Sequence, residues 1–500
     1  MNDHSGWMRS VWQLPATRRV RFGEMKLGVL LLGIVAAAAT TVSAADERRA
    51  ERDYLQVVRG YADAMIAHGR DVYGDQQSPL FAEALDRKTM RMLEGEILQK
   101  AVTIDRDDWG IRPHDRMIAG GNPQHCENLY QILYALTKIT GENRYADEAD
   151  RSLRFCFERC QSPATGLLCW GEHAGWDFRT EKRIDKPSGN THEFYRPWVL
   201  WDRSWQVAAE PCRRFALGLW EHQIGNHQTG DYSRHAAIDA PGPGTEAPYA
   251  RHGGFYIETW AAAYERTRDN VFLQAIECVV DGLERARIHE GGMLAGGSKR
   301  RGSRRSHDVS LAISLDNAAA KVTPELAAKM REVASTNDNV FAKVHADAGQ
   351  GLAAGGVNLW SNAYGGSGMA GSADACMTRY RQVHVDAYRR VVLRTAEQYR
   401  NQKINLSKPV WPGTMGNVIL LMVNAHELTG EHKYLEAADR FAQKGVELFL
   451  GDGCPLPRAS HVHAHYEAVT NGDTLMMALL RLWQVQNEPD RKLALVFTDR

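Results

Sequence analysis

The chain has 500 residues, 44% of them hydrophobic and 24% charged, with Lys plus Arg and Asp plus Glu both at 61. This length and balance exclude broad disorder and allow a large buried core. A formal net charge of +0 excludes the global electrostatic footprint of a nucleic-acid binder, and no nucleic-acid partner is expected.

The N-terminus departs from this average. Arg18, Arg19, Arg21 and Lys26 precede the apolar run LGVLLLGIVAAAATTVSA at 27–44, which ends in Val42-Ser43-Ala44. That pattern predicts an export signal cleaved after residue 44, a periplasmic or secreted protein, and no stable membrane anchor after cleavage. An uncleaved anchor is the alternative reading of the same run, and Met25 is an alternative start. Residues 45–500 are then expected to form a single catalytic domain.

Residues 53–68 carry apolar positions at helical spacing, and Gly, Asp and Pro break the pattern before 81. Further on, Leu129, Leu133 and Leu136 define a helical face, 140–143 reads as a turn, and 145–157 as a second helix. This is a helical hairpin. Its turn phrase ITGENRYADEADR returns near the C-terminus as LTGEHKYLEAADR and, blurred, between them as ERTRDNVFLQA. Three unevenly spaced echoes argue against a solenoid of short repeats and for a closed toroid of hairpins with function-bearing loops at one end. The predicted architecture is mainly α, an (α/α)n toroid or barrel with n expected to be seven. Short strands are expected at 461–466 and 493–497.

Of the eight cysteines none forms a CxxC pair, which argues against a zinc ribbon or thioredoxin-type site. Cys156 and Cys160, four apart on a predicted helix, are read as buried free thiols. Two long loops stand out. One is basic, with Lys299, Arg300, Arg301, Arg304 and Arg305, and is either solvated or a contact for acidic sugars. The other, 351–375, is glycine-rich with Trp360 and Tyr364. His461, His463 and His465 alternate, which on a strand would place them on one face and within reach of a metal.

The chemistry is concentrated in 169–235, which holds His173, Glu193 and His235 with Arg234 beside the last. Two imidazoles and a carboxylate are the usual makings of a divalent transition-metal site, and the adjacent arginine suggests an acidic ligand. WGEH at 170–173, THEF at 191–194 and SRH at 233–235, in this order and in steps of 20 and 42 residues between the candidate ligands, resemble the metal-dependent pectate lyases of polysaccharide lyase family 2. The likeness extends to HGRDVYGDQQSPLF, to the first hairpin, and to the WEHQ helix before SRH. Glu172 stands where the family's motif has glycine.

The resemblance implies metal-assisted β-elimination on a polyuronate such as pectate or polygalacturonate, giving unsaturated uronate ends. It implies a metal on His173, Glu193 and His235, with Mn2+ expected and Co2+, Ni2+ or Ca2+ as alternatives. It also implies Arg234 as the base. Alternatively Arg234 clamps the uronate carboxylate while another group, such as Tyr232, takes the proton. His192 beside Glu193, and Trp170 and Trp176 flanking His173, are further candidates for substrate contact, with core packing the alternative for the tryptophans. Two other functions compete. A six-hairpin glycoside hydrolase would need two carboxylates about 5–10 Å apart, for which Asp115, Asp177, Glu258 and Asp316 are available. A non-catalytic sugar-binding toroid would need none.

Overall fold

The computed structural model describes residues 53–500 apart from 105–109, 185–188, 190, 245–247, 288–294, 297–300, 303–304, 347–358 and 365–367. Helix α1 spans Tyr54–His68 and the short α2 Gly95–Val102. Then come pairs: α3 (Glu127–Thr140) with α4 (Arg144–Arg159), α5 (Trp201–Val207) with α6 (Ala209–Gly218), and α7 (Ala250–Thr267) with α8 (Asn270–Arg285). They continue as α9 (Arg305–Ala319) with α10 (Pro324–Val344), α11 (Met369–Val383) with α12 (Asp386–Arg400), and α13 (Pro412–Thr429) with α14 (His432–Leu450). The last helix, α15 (Gly472–Asn487), pairs with α1.

These pairs form two concentric layers. In the inner layer α7 packs on α9, α9 on α11, α11 on α13, α13 on α15, and α15 on α3, while short α5 bridges α4 to α7. The odd-numbered inner helices each carry an outer partner, so the described residues build a toroid of seven helical pairs, as expected from the sequence. Burial follows position. Inner α13 is buried from Met415 through Ala425 almost without interruption. Outer α8 buries Phe272, Ala275, Ile276, Val279, Val280, Gly282 and Leu283, close to the three-and-four spacing of a one-faced helix. Asp53–Arg500 form one compact unit.

The repeated phrase is the joint of a hairpin. Gly141 and Gly430 close α3 and α13 in the left-handed conformation, φ 77° and 71°, each donating its N–H to the carbonyl four residues back. The blurred copy does the same with Arg268, φ 58°. The threonine before each joint explains the rest of the phrase. The hydroxyls of Thr140, Thr267 and Thr429 accept the N–H of Glu142, Asp269 and Glu431 at 3.1, 3.2 and 3.1 Å. Two past the threonine stand the N-caps Asp269 and Glu431 of the outer helices, and in the first joint Glu142, one residue before the N-cap Asn143.

Strands are few and short: β1 (Ala84–Leu85), β2 (Gly120–Gly121), β3 (Trp176–Asp177), β4 (Lys182–Arg183), β5 (Thr191–His192) and β6 (Ala236–Ala237) position the loops. Two strand expectations need correction. Residues 493–497 make no strand, because the side chain of Gln131 satisfies Val496 on both sides, accepting its N–H at 2.7 Å and donating to its carbonyl at 2.8 Å. At 461–466 only the end is extended, where Tyr466–Glu467 pairs antiparallel with β1. All eight cysteines are unpaired, and Cys156 and Cys160 are buried. The expected export signal and the side chains of the basic loop lie outside the described residues. Among the described residues no helix is long and apolar enough to cross a membrane.

Candidate metal centre

Glu193 and His235 are brought together by register. β5 and β6 pair antiparallel with Thr191 opposite Ala237 and His192 opposite Ala236, so one step further Glu193 meets His235. The π-turn Leu219–Gln223 braces this ribbon, since Gln223 Oε1 lies 2.7 Å from His192 Nδ1 and its Nε2 donates to the Ser233 carbonyl at 2.7 Å. His173 arrives from a separate loop folded around Asn122, whose Nδ2 donates to the carbonyls of Gly171 (2.6 Å) and Ala174 (3.0 Å). Gly171 is required here. Its φ is +89°, and a Cβ on it would stand 1.4 Å from the carbonyl oxygen of Glu193.

The three expected ligands converge. Glu193 Oε2 lies 3.0 Å from His173 Nε2 and 3.1 Å from His235 Nε2. Cis ligands on a six-coordinate ion with bonds of about 2.2 Å sit about 3.1 Å apart, so these separations suit one ion. Glu172 joins them: ligand atoms of Glu172, His173, Glu193 and His235 all lie within 4.8 Å of one another. The donor chemistry gives a second test of fit. His173 Nδ1 is 2.8 Å from the Asp115 carboxylate, an acceptor, which leaves the neutral imidazole with a lone pair on Nε2. That lone pair faces Glu193 Oε2, a fully buried carboxylate oxygen that also has His235 Nε2 at 3.1 Å. Two acceptors face to face call for a cation between them, either a proton or a metal ion.

The electrostatics show how the centre stands without an ion. Burial would lower the His173 imidazole, but Asp115 and Glu193 outweigh it and bring its pKa up to about 9. Burial and then the Glu193 charge raise the Glu172 carboxyl to about 8. Glu193 goes the other way: despite burial, hydrogen bonding to His173, His235 and His252 holds it well below the usual range. Burial lowers the Arg234 guanidinium, yet Glu193 and Glu172 together raise it above its ordinary value. Arg234 Nη1 contacts Glu193 Oε1 directly and Glu172 Oε2 at 3.4 Å. Arg234 and His235 are the accessible members, with side chains 31% and 40% exposed, whereas Glu193 is at 0%.

Other expected site residues fall elsewhere. Trp170 is fully buried among Phe157, Phe194, Trp198, Trp201 and Phe215, and its indole N–H donates to His192 Nε2 at 3.2 Å. It is a core residue rather than a sugar platform. His192 is likewise buried, and burial pushes its pKa down to about 4, so it is a neutral brace with no face toward a substrate. Tyr232 is corrected too: its hydroxyl donates to the Tyr249 carbonyl at 2.7 Å and accepts the Tyr249 N–H at 3.1 Å, and burial raises its pKa. Trp176 is half-buried on β3 against Phe155. His461, His463 and His465 do not share a strand face. They turn to the Val410 N–H, Ser460 and Glu467 respectively. The four hydrolase carboxylates are all engaged locally, Asp115 by Arg112 and His173, Glu258 by Arg500, Asp316 by Arg379, and Asp177 by the N–H groups of Arg179 and Thr180.

Several functional neighbours carry no motif. Besides Asp115 and Glu172 they include His252, whose Nε2 is 3.3 Å from Glu193 Oε1, and Tyr364 of the glycine-rich loop. The Tyr364 hydroxyl donates to the carbonyls of Glu172 (3.0 Å) and Asp115 (3.3 Å), tying the two together.

The described residues thus form a helical toroid whose loops bring two histidines, two glutamates and an arginine together in a group that could hold a metal ion. Residues 100–294, which contain every residue of this centre except Tyr364, match the family model described as periplasmic pectate lyase, and that match makes the enzyme class polysaccharide lyase. Solved structures similar to the chain include cellobiose 2-epimerase from Bacillus thermoamylovorans B4167, at 12% identity and TM-score 0.44, covering 86% of this chain and 99% of the other. An unsaturated glucuronyl hydrolase specific for heparin matches at 11% identity and TM-score 0.41, covering 87% and 98%. A polysaccharide lyase matches at 9% identity and TM-score 0.38, covering 87% and 53%.

Proposed function

We propose that the protein cleaves an acidic polysaccharide of the pectate or polygalacturonate type by β-elimination in the periplasm, with a divalent ion, Mn2+ in the first instance, on His173, Glu193 and His235. The observation that carries this reading is the buried Glu193 Oε2 between two imidazole nitrogens, 3.0 and 3.1 Å away, with Arg234 alongside. An ion held there supplies positive charge to a uronate carboxylate as the α-proton leaves. The chain's own residues do the rest. Asp115 holds the His173 ring with its Nε2 toward the centre, and Glu193 is kept ionised by the groups around it. Arg234, raised by its two carboxylate neighbours, is a protonated guanidinium suited to clamp the uronate carboxylate. Beside a bound cation its pKa would fall, and Arg234 is then also the group in reach to take the α-proton as the C4–oxygen bond breaks, so it serves as clamp or as base. With its hydroxyl engaged on both sides, Tyr232 is not the base.

The test is incubation of the purified protein with polygalacturonate and Mn2+, with and without chelator, followed by the ultraviolet absorbance of unsaturated uronate. A chelator-sensitive rise that Arg234→Ala abolishes is expected. New reducing ends without that absorbance would replace elimination by hydrolysis, and no cleavage of any acidic glycan would leave sugar binding.

A further inference from the structure

Glu172 is the residue by which this chain departs from the glycine of the motif it resembles, and the structure places it at the centre rather than beside it. Its Oε2 lies 3.8 Å from His173 Nε2 and 3.4 Å from Arg234 Nη1. The backbone that carries it is fixed on both sides. Gly171 holds a left-handed φ of +89° with the Glu193 carbonyl against its Cα, and the Tyr364 hydroxyl donates to the Glu172 carbonyl at 3.0 Å. The Glu172 side chain is 11% exposed, so little water solvates it. The buried Glu193 carboxylate belongs to the same group, in which ligand atoms of Glu172, His173, Glu193 and His235 all lie within 4.8 Å of one another.

We propose that Glu172 is a fourth protein ligand, converting a His2Glu site into His2Glu2; this rests on the metal reading above and refines it. Two consequences follow from charge and geometry. Two carboxylates neutralise a dication, so the ion is held more tightly and Arg234 remains as the net positive charge for an acidic substrate. On a six-coordinate ion the open positions fall from three to two, enough for one bidentate acidic sugar and too few for a bound substrate plus a retained water. An added carboxylate oxygen also shifts preference toward ions that favour oxygen, Mn2+ over Zn2+.

The experiment uses the full-length protein and Mn2+ alone, without substrate. Free Mn2+ is titrated by electron paramagnetic resonance, and the water carried by bound Mn2+ is counted from water-proton relaxation. Compared with wild type, Glu172→Gly should weaken Mn2+ binding about 10–100-fold and add one exchangeable water to the bound ion. Glu172→Gln, of the same shape, should weaken binding in the same range and serves if the glycine variant does not fold. His173→Ala should abolish binding. Unchanged affinity and unchanged water count in both Glu172 variants, with binding still lost in His173→Ala, would overturn the fourth ligand and leave the metal centre standing. A wild-type protein that binds no Mn2+, Co2+ or Ni2+ would overturn both.

Discussion

Replacing Gly171 with alanine tests how the centre is assembled. Two penalties can be read from the structure. A φ of +89° is strained for any residue with a Cβ, by about 1–2 kcal/mol. The larger effect is steric, because the new methyl would sit 1.4 Å from the Glu193 carbonyl oxygen and 2.6 Å from its carbon. Ordinary contact needs a separation of about 3.2 Å or more, so the 171–173 loop and the Glu193 strand must move apart by nearly 2 Å. Metal ligands tolerate about 0.2 Å. His173 and Glu193 lie on opposite sides of that clash, so Gly171→Ala should lower Mn2+ affinity at least about 100-fold while the helices remain. The assay is calorimetric Mn2+ titration beside far-ultraviolet circular dichroism. Wild-type affinity in a folded Gly171→Ala protein would refute the argument that loop apposition builds the site.

Three further outcomes follow. Asp115→Asn keeps an acceptor at His173 Nδ1 but removes the charge, and Mn2+ affinity should fall about 10–100-fold, read by the same titration; an unchanged constant would remove Asp115 from the centre. Metal affinity should rise with pH, because the ion must displace the proton that His173 holds up to about 9 and the one Glu172 holds up to about 8. The gain should approach tenfold per pH unit per displaced proton, levelling off above about 9, and calorimetry in buffers of different ionisation enthalpy should show proton release; a flat profile would contradict the assigned protonation. Trp170→Ala should cost about 3–5 kcal/mol of stability, measured by denaturant unfolding. Normal stability with lost polymer binding would instead make Trp170 a sugar platform.

The parts legible in the sequence are those with a local physical signature. The hairpin joints could be read because one threonine and one left-handed residue do the same work each time, and the blurred copy still placed Arg268 correctly. The three candidate ligands, which motif order pointed to, lie together in the structure. The residues that fall elsewhere share one feature: as sequence neighbours of a candidate ligand they are read as substrate contacts. On a strand successive side chains face opposite sides, so His192, next to Glu193, points into the core where Trp170 and Gln223 hold it. Asp115, His252 and Tyr364 were invisible as partners because they reach the centre across long stretches of chain with no periodic pattern to mark them. Glu172 was visible only as a mismatch to a motif.

The most direct measurement is a crystal of the protein soaked in Mn2+ with anomalous data collected. One strong anomalous peak is expected within about 2.0–2.3 Å of His173 Nε2, Glu193 Oε2 and His235 Nε2. No peak there, with Mn2+ bound elsewhere on the protein, would contradict the proposed metal centre.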